Sequence, residues 1–205
     1  NEAVTADEVV DIYQLAGIET PELSILSDEF LDGLSGSDRP NLQLGLLRRL
    51  LNDQIRTIRR KNLVQSRKFS ELLDEAINRY TNRALTTAEI IAELVNLAKA
   101  LRDDAAAASE LGLSEDEKAF YDAVCQNQSA VLELGDDTLK KIAGELVESV
   151  RTNASIDWNL RESVRAKMRT KVRRLLAKYK YPPDLQEQAV ELVLEQAELF
   201  AGQGA

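Results

Sequence analysis

Histidine is absent from this sequence, cysteine and methionine occur once each, and aromatics make up only 5% of its 205 residues. Each shortage excludes something. Without histidine, no serine, cysteine or threonine nucleophile can rely on an imidazole base, and no metal site can draw on imidazole nitrogen. A lone Cys125 rules out an internal disulfide and fits a reducing compartment. It sits in "YDAVCQNQS", beside Phe120, Tyr121 and Val124, and reads as a small core residue rather than a nucleophile. No G-x-x-x-x-G-K-[ST] loop is present to cradle phosphates. No apolar run approaches the ~20 residues of a membrane span, and no charged segment leading into an apolar core marks a signal peptide. The single methionine is Met168, so the sequence does not open at a start codon. It is read as a piece of a longer protein, whose chemistry need not lie in this piece.

What the sequence holds in abundance is alanine, leucine, glutamate and arginine, with only 9 glycines and 4 prolines. That balance favours helices. Apolar residues recur at helical spacing almost from end to end, and nothing alternates with the period of a strand. Short helices are expected over about 7–16 and 27–32, followed by a loop-like "GLSGSDRPN" at 33–41. From Asn41 to about Arg60 a helix buries Leu47, Leu50, Leu51, Ile55 and Ile58. The next, about 66–80, carries Phe69, Leu72, Leu73, Ala76, Ile77 and Tyr80 on one face. A longer helix, 86–109, presents Ile91, Leu94, Val95, Ala98 and Leu101. Ser114 and Glu117 form an S-x-x-E capping box that opens the helix holding Phe120, Tyr121 and Val124. Gly135-Asp136 starts another, with Leu139, Ile142, Ala143, Leu146, Val147 and Val150 inside. A basic helix follows from about Asp157, "YPPD" breaks it, and a last helix runs from about Pro183 to Phe200, with Pro183 in its first turn. The expected fold is an all-α, multi-helix bundle, read as two lobes joined by the helix 86–109.

Charge is segregated along the chain. The formal net charge is −9, yet residues 161–180 carry nine Lys or Arg against Glu162 alone, and residues 48–68 carry eight against Asp53 alone. In the helix 161–180, Val164, Met168, Val172, Leu175, Leu176 and Tyr179 form an apolar seam. Lys167, Lys171, Arg174 and Lys178 line one flank of it, and Arg165, Arg169 and Arg173 line the other. Three readings compete: solvated flanks paired with acidic neighbours, contacts to nucleic-acid phosphates, or a protein interface. The last helix offers Glu187, Glu191, Glu195 and Glu198 in a row. That row lies almost opposite its apolar residues Ala189, Leu192, Val193 and Phe200, so these glutamates are expected to face solvent and leave the arginines unneutralised.

No catalytic constellation emerges. "ILSDEFL" (25–31) faintly looks like an acidic Mg²⁺-binding box, but it has no partnering phosphate loop and reads as the start of a short helix. Glu71/Asp74/Glu75 and Glu115/Asp116/Glu117 each follow a serine, in a helix's first turns or on its polar face, where carboxylates are favoured without a catalytic role.

Four blocks, "VVDIYQLAGIETPELSILSDEFL", "RKNLVQSRKFSELLDEAINRYTNRALTTAEIIAELVNLAKA", "LGLSEDEKAFYDAV" and "IDWNLRESVRAKMRTKVRRLLAKYKYPPDLQEQAVELVLEQAE", together resemble the C-terminal helical region of the R subunit of type I restriction-modification enzymes. The resemblance runs over nearly the whole chain. Its most specific parts are "NLVQSRKFSE" and "ESVRAKMR…YPP". It implies a cytoplasmic bacterial or archaeal parent that translocates and cleaves DNA, with ATP and Mg²⁺ used by nuclease and motor domains that have no counterpart here. No cofactor and no catalytic residue is therefore expected in this chain. It also implies docking onto a methyltransferase core of M and S subunits, near the path of DNA. Residues 1–40 then read as an arm and joint to the motor domains, and 41–205 as a helical bundle domain. The residues singled out for partner or DNA-phosphate contact are Arg165, Lys167, Arg169, Lys171, Arg173, Arg174 and Lys178, with Arg56, Arg59, Arg60, Lys61, Arg67 and Lys68 as a second group. An autonomous nucleic-acid-binding module and a spacer packed on the motor domains are the alternatives.

Overall fold

A computed structural model of the chain describes Leu31, residues 40–153 and residues 162–203. Eight helices and no strand occur among the described residues: α1 (Pro40–Arg59), α2 (Leu63–Thr81), α3 (Thr87–Glu110), α4 (Glu115–Val124), α5 (Gln128–Leu134), α6 (Asp136–Asn153), α7 (Glu162–Lys178) and α8 (Gln186–Gln203). The all-α reading holds. The short helices expected over 7–16 and 27–32, the joint at 33–41 apart from Pro40 and Asn41, and the stretch from Asp157 to Arg161 lie outside the described residues, Leu31 excepted.

The chain divides into two compact units, one of residues 1–56 and 69–105, the other of residues 57–68 and 106–205. In the first, α1 buries Leu46, Leu47, Leu50, Leu51 and Ile55, at the three- and four-residue steps that keep one helix face inward. Phe69, Leu73 and Ala76 of α2 are buried, as are Ile90, Ile91, Leu94, Val95, Ala98 and Leu101 of α3. Leu72, expected inside, is 43% exposed. It stands beside Leu73 at the edge of the apolar arc, where a single helix step turns a side chain outward. Between α2 and α3, Thr86 and Glu89 cap each other reciprocally: the Thr86 amide donates to Glu89 Oε2 (2.7 Å) and the Glu89 amide to Thr86 Oγ1 (3.3 Å).

The second unit is built on α4, α6, α7 and α8, with α5 against α6. Phe120, Leu139, Ile142, Leu146, Val150, Met168, Val172, Leu176, Val190, Val193 and Leu194 share its core, with Cys125 partly buried against it. The capping box at Ser114 is present with both bonds made, and carboxylates crowd the first turn of α4 where the helix dipole favours them. The sequence reading did not foresee α5. It is seven residues long, capped at its start by the Asn127 side chain and stopped by Gly135 at φ +71, a conformation glycine adopts without strain. Pro183 is not in the first turn of α8, which begins three residues later. Asp184 instead accepts bonds from Asn127 (3.1 Å) and Ser129 (3.0 Å), holding the turn back against α5.

The end of α1 and the start of α2 belong to this second unit. Gln196, fully buried on α8, donates to the Lys61 carbonyl (2.6 Å) and accepts from the Leu63 amide (3.0 Å). Asn62 donates to Asp122 (2.7 Å) while its own Oδ1 accepts the Gln65 amide (3.0 Å). The backbone groups left over where one helix ends and the next begins are thereby satisfied by Gln196 of α8 and by Asn62, whose side chain Asp122 of α4 holds in place.

Candidate docking surface on the basic helix

The apolar seam of α7 is where periodicity put it. Met168, Val172 and Leu176 are buried, and Val164, Leu175 and Tyr179 pack partly against the same core. The two cationic flanks of that seam have different fates.

The arginine flank meets α8. Arg165 Nε lies 3.1 Å from Glu198 Oε1, Arg169 Nη2 lies 2.5 Å from Glu191 Oε1, and Arg173 makes a two-pronged contact with Glu187 at 3.0 and 2.6 Å. As residue numbers rise on α7 they fall on α8, the pattern of antiparallel neighbours. The expectation that these glutamates point away and leave the arginines unneutralised is overturned. Its geometry assumed that α8 packs by a narrow face. In fact Ala189, Val190, Val193, Leu194, Gln196 and Ala197 are all buried, through an arc wide enough to serve α4, α6 and α7 together. Helix α7 lies at the edge of that arc nearest the glutamate row, and long guanidinium side chains span the remaining distance. The hydrogen bonds from Arg173 hold the Glu187 carboxyl below its ordinary value, and the same pair raises Arg173.

The lysine flank turns outward. Lys167, Lys171, Arg174 and Lys178 are all exposed. Lys178 bonds Glu145 of α6 (2.7 and 2.8 Å), and Tyr179 bonds the same carboxylate (2.6 Å), which is held below its usual range by Lys178 first and Tyr179 second. Lys167 and Arg174 have no ion pair among the described residues. Beside them the outer face of α7 carries only small exposed side chains: Ser163, Ala166, Thr170 and Ala177.

The second group is split between the units. Arg56, 81% exposed, is in the first, 3.9 Å from Asp53. In the second, Lys61 pairs with Glu115 (2.6 Å) and Arg67 with Glu195 (2.8 Å); Arg59, Arg60 and Lys68 are exposed, and Arg59 has no ion pair among the described residues. Residues not singled out from the sequence stand on the same outer face of α1 as Arg56. Arg48, Arg49 and Asn52, with Gly45 and Asp53, surround a shallow depression there. Their spacing from residue 45 onward, at helical steps, was the available signal.

No group of three or more acidic, cysteine or histidine side chains that could hold a metal occurs among the described residues. Burial pushes the Cys125 thiol up to about 11, the reverse of what a nucleophile needs. No described helix is long and apolar enough to cross a membrane.

The family model for the C-terminal part of type I restriction enzyme HindI endonuclease subunit-like proteins matches residues 1–203. The type I restriction enzyme HindI endonuclease subunit of Haemophilus influenzae is 41% identical over 201 residues, 98% of this chain and 19% of that protein. A chain of Methanocaldococcus jannaschii named as a putative type I restriction enzyme MjaIXP endonuclease subunit is 37% identical over 179 residues, 87% of this chain and 17% of that one. This chain thus spans less than a fifth of either relative. No solved structure matches it. The chain belongs to the family formed by the C-terminal regions of HindI-like type I restriction enzyme endonuclease subunits.

Proposed function

We propose that this region is a non-catalytic assembly module that docks a type I endonuclease subunit onto the methyltransferase core of M and S subunits. The outward face of α7 is its docking surface. The observation that carries this reading is the unequal use of the two cationic flanks. The arginine row is occupied within the fold, whereas Lys167 and Arg174 stand without ion pairs, among the described residues, on the outer face. Small side chains beside them let a partner's backbone approach closely, and outward cations in an acidic chain select a partner surface of opposite sign. ATP and Mg²⁺ belong, on this reading, to the motor domains of a cytoplasmic parent.

The test is co-elution of the 205-residue chain with a cognate core, before and after the triple change Lys167→Glu, Lys171→Glu and Arg174→Glu. These side chains are exposed, so helical circular dichroism should be unchanged while co-elution is lost. Undiminished co-elution would place docking elsewhere. A chain that binds duplex but not core would favour the autonomous nucleic-acid module, and one that binds neither would favour the spacer.

A further inference from the structure

The outer face of α1 is not used by the docking reading. Opposite the buried side of that helix, Gly45, Arg48, Arg49, Asn52 and Arg56 occupy three successive turns within the first unit. We infer that this face binds the phosphate backbone of double-stranded nucleic acid, independently of sequence, with Arg48 and Arg56 as its principal contacts and Arg49 and Asn52 beside them.

Four observations converge. Arg48 is exposed and has no ion pair among the described residues. Arg56 is 81% exposed, and the single acid of the helix, Asp53, is 3.9 Å from its guanidinium, a distance at which a solvated pair holds loosely and gives way to a phosphate. Asn52 donates one amide hydrogen to the Arg48 carbonyl (2.8 Å), which fixes the side chain on the helix surface and leaves its second N–H to donate outward. Gly45 is a helix-interior glycine with nothing within 4 Å of where a Cβ would stand. No packing neighbour demands a glycine there, and the bare backbone lets a strand run close.

The same stripe argues against a protein partner. Protein interfaces are anchored by apolar or aromatic side chains that lose water at their centre. No apolar side chain stands among these five residues. Guanidinium and amide donors with nothing to desolvate suit a polyanion, whose contacts position a backbone without reading bases. The outer face of α7 differs in kind, because there the cations border small residues that a partner can cover.

The experiment is fluorescence anisotropy of the 205-residue chain with a short labelled duplex and with a scrambled duplex of equal length. Arg48→Glu with Arg56→Glu should weaken binding to both at least about tenfold and flatten the plot of log affinity against log salt by about 1.8, near 0.9 for each phosphate no longer neutralised. The neutral pair Arg48→Gln with Arg56→Gln should act in the same direction with a smaller effect. Changes to Lys167 and Arg174 should leave duplex affinity within about twofold, so that failure of the docking reading and failure of this one are separate results. Duplex binding that survives both α1 variants overturns the inference. So does a wild-type preference for one duplex over the other, which would mean base readout.

Discussion

At the scale of single residues, the chain shows how differently polar side chains advertise their roles. Ser114 and Glu117 are three apart and close a local capping box, so sequence alone locates them. Gln196 gives no such sign. It interrupts an apolar stretch between Val193, Leu194 and Ala197, and its partners, Lys61 and Leu63, lie more than a hundred residues earlier in the chain. Only the fold brings a helix start to it. Its amide satisfies a donor and an acceptor that the ends of α1 and α2 would otherwise leave buried. Gln196→Leu keeps the volume and removes both bonds, which costs about 2–3 kcal/mol from two orphaned backbone groups. Urea unfolding should show that cost as a lower midpoint at unchanged slope. A variant as stable as the parent would mean that water replaces the side chain and that the turn is not sealed.

At the scale of elements, periodicity made seven of the eight described helices legible, with most of their inward faces. It faltered on α5, which is too short to show a period. It also misjudged the α7–α8 pair, because a helical wheel gives the direction of a glutamate but not the reach of an arginine on the next helix. That pair sets an acid limit on the fold. Glu187 is lowered by Arg173, Glu145 by Lys178 and Tyr179, and Glu117 by Ser114, all from an ordinary value of 4.5, while Asp184 is lowered from 3.8 by Asn127. A carboxyl that is more acidic folded than unfolded contributes its full share above the unfolded value and loses it as pH falls through the folded one. The thermal midpoint should therefore be flat from neutrality down to about 4.5 and then decline steadily. Arg173→Gln removes the chief cause at Glu187 and should shrink the acid-side decline by lowering the plateau slightly, leaving the acid end little changed. A decline that begins above about pH 5 would point to other groups.

At the scale of the whole molecule, the −9 charge and the cationic faces act over different distances. The segregation itself could be read from the sequence by counting, but its meaning could not. Ion pairs across α7 and α8 consume one basic row, and the orientation of α1 exposes another that counting did not rank. If Arg48, Arg49 and Arg56 meet phosphates, local counterion release alone gives a slope of log affinity against log salt of about −2.7. The acidic remainder of the chain opposes approach through its long-range field. At 0.01 M salt the screening length is about 30 Å and that repulsion reaches the duplex; at 0.1 M it is about 10 Å and the binding face is largely shielded from the rest of the chain. Salt should thus weaken the phosphate pairs while relieving the repulsion. We expect the slope to stand near −2.7 above about 0.1 M and to flatten to less than about half of that below about 0.03 M. Anisotropy titrations across this range decide it. A constant slope would mean that the acidic body is not felt at the binding face. A steep slope of about −6 would mean that further cations, Lys167 and Arg174 among them, also touch the duplex, and the division of labour between α1 and α7 would fall.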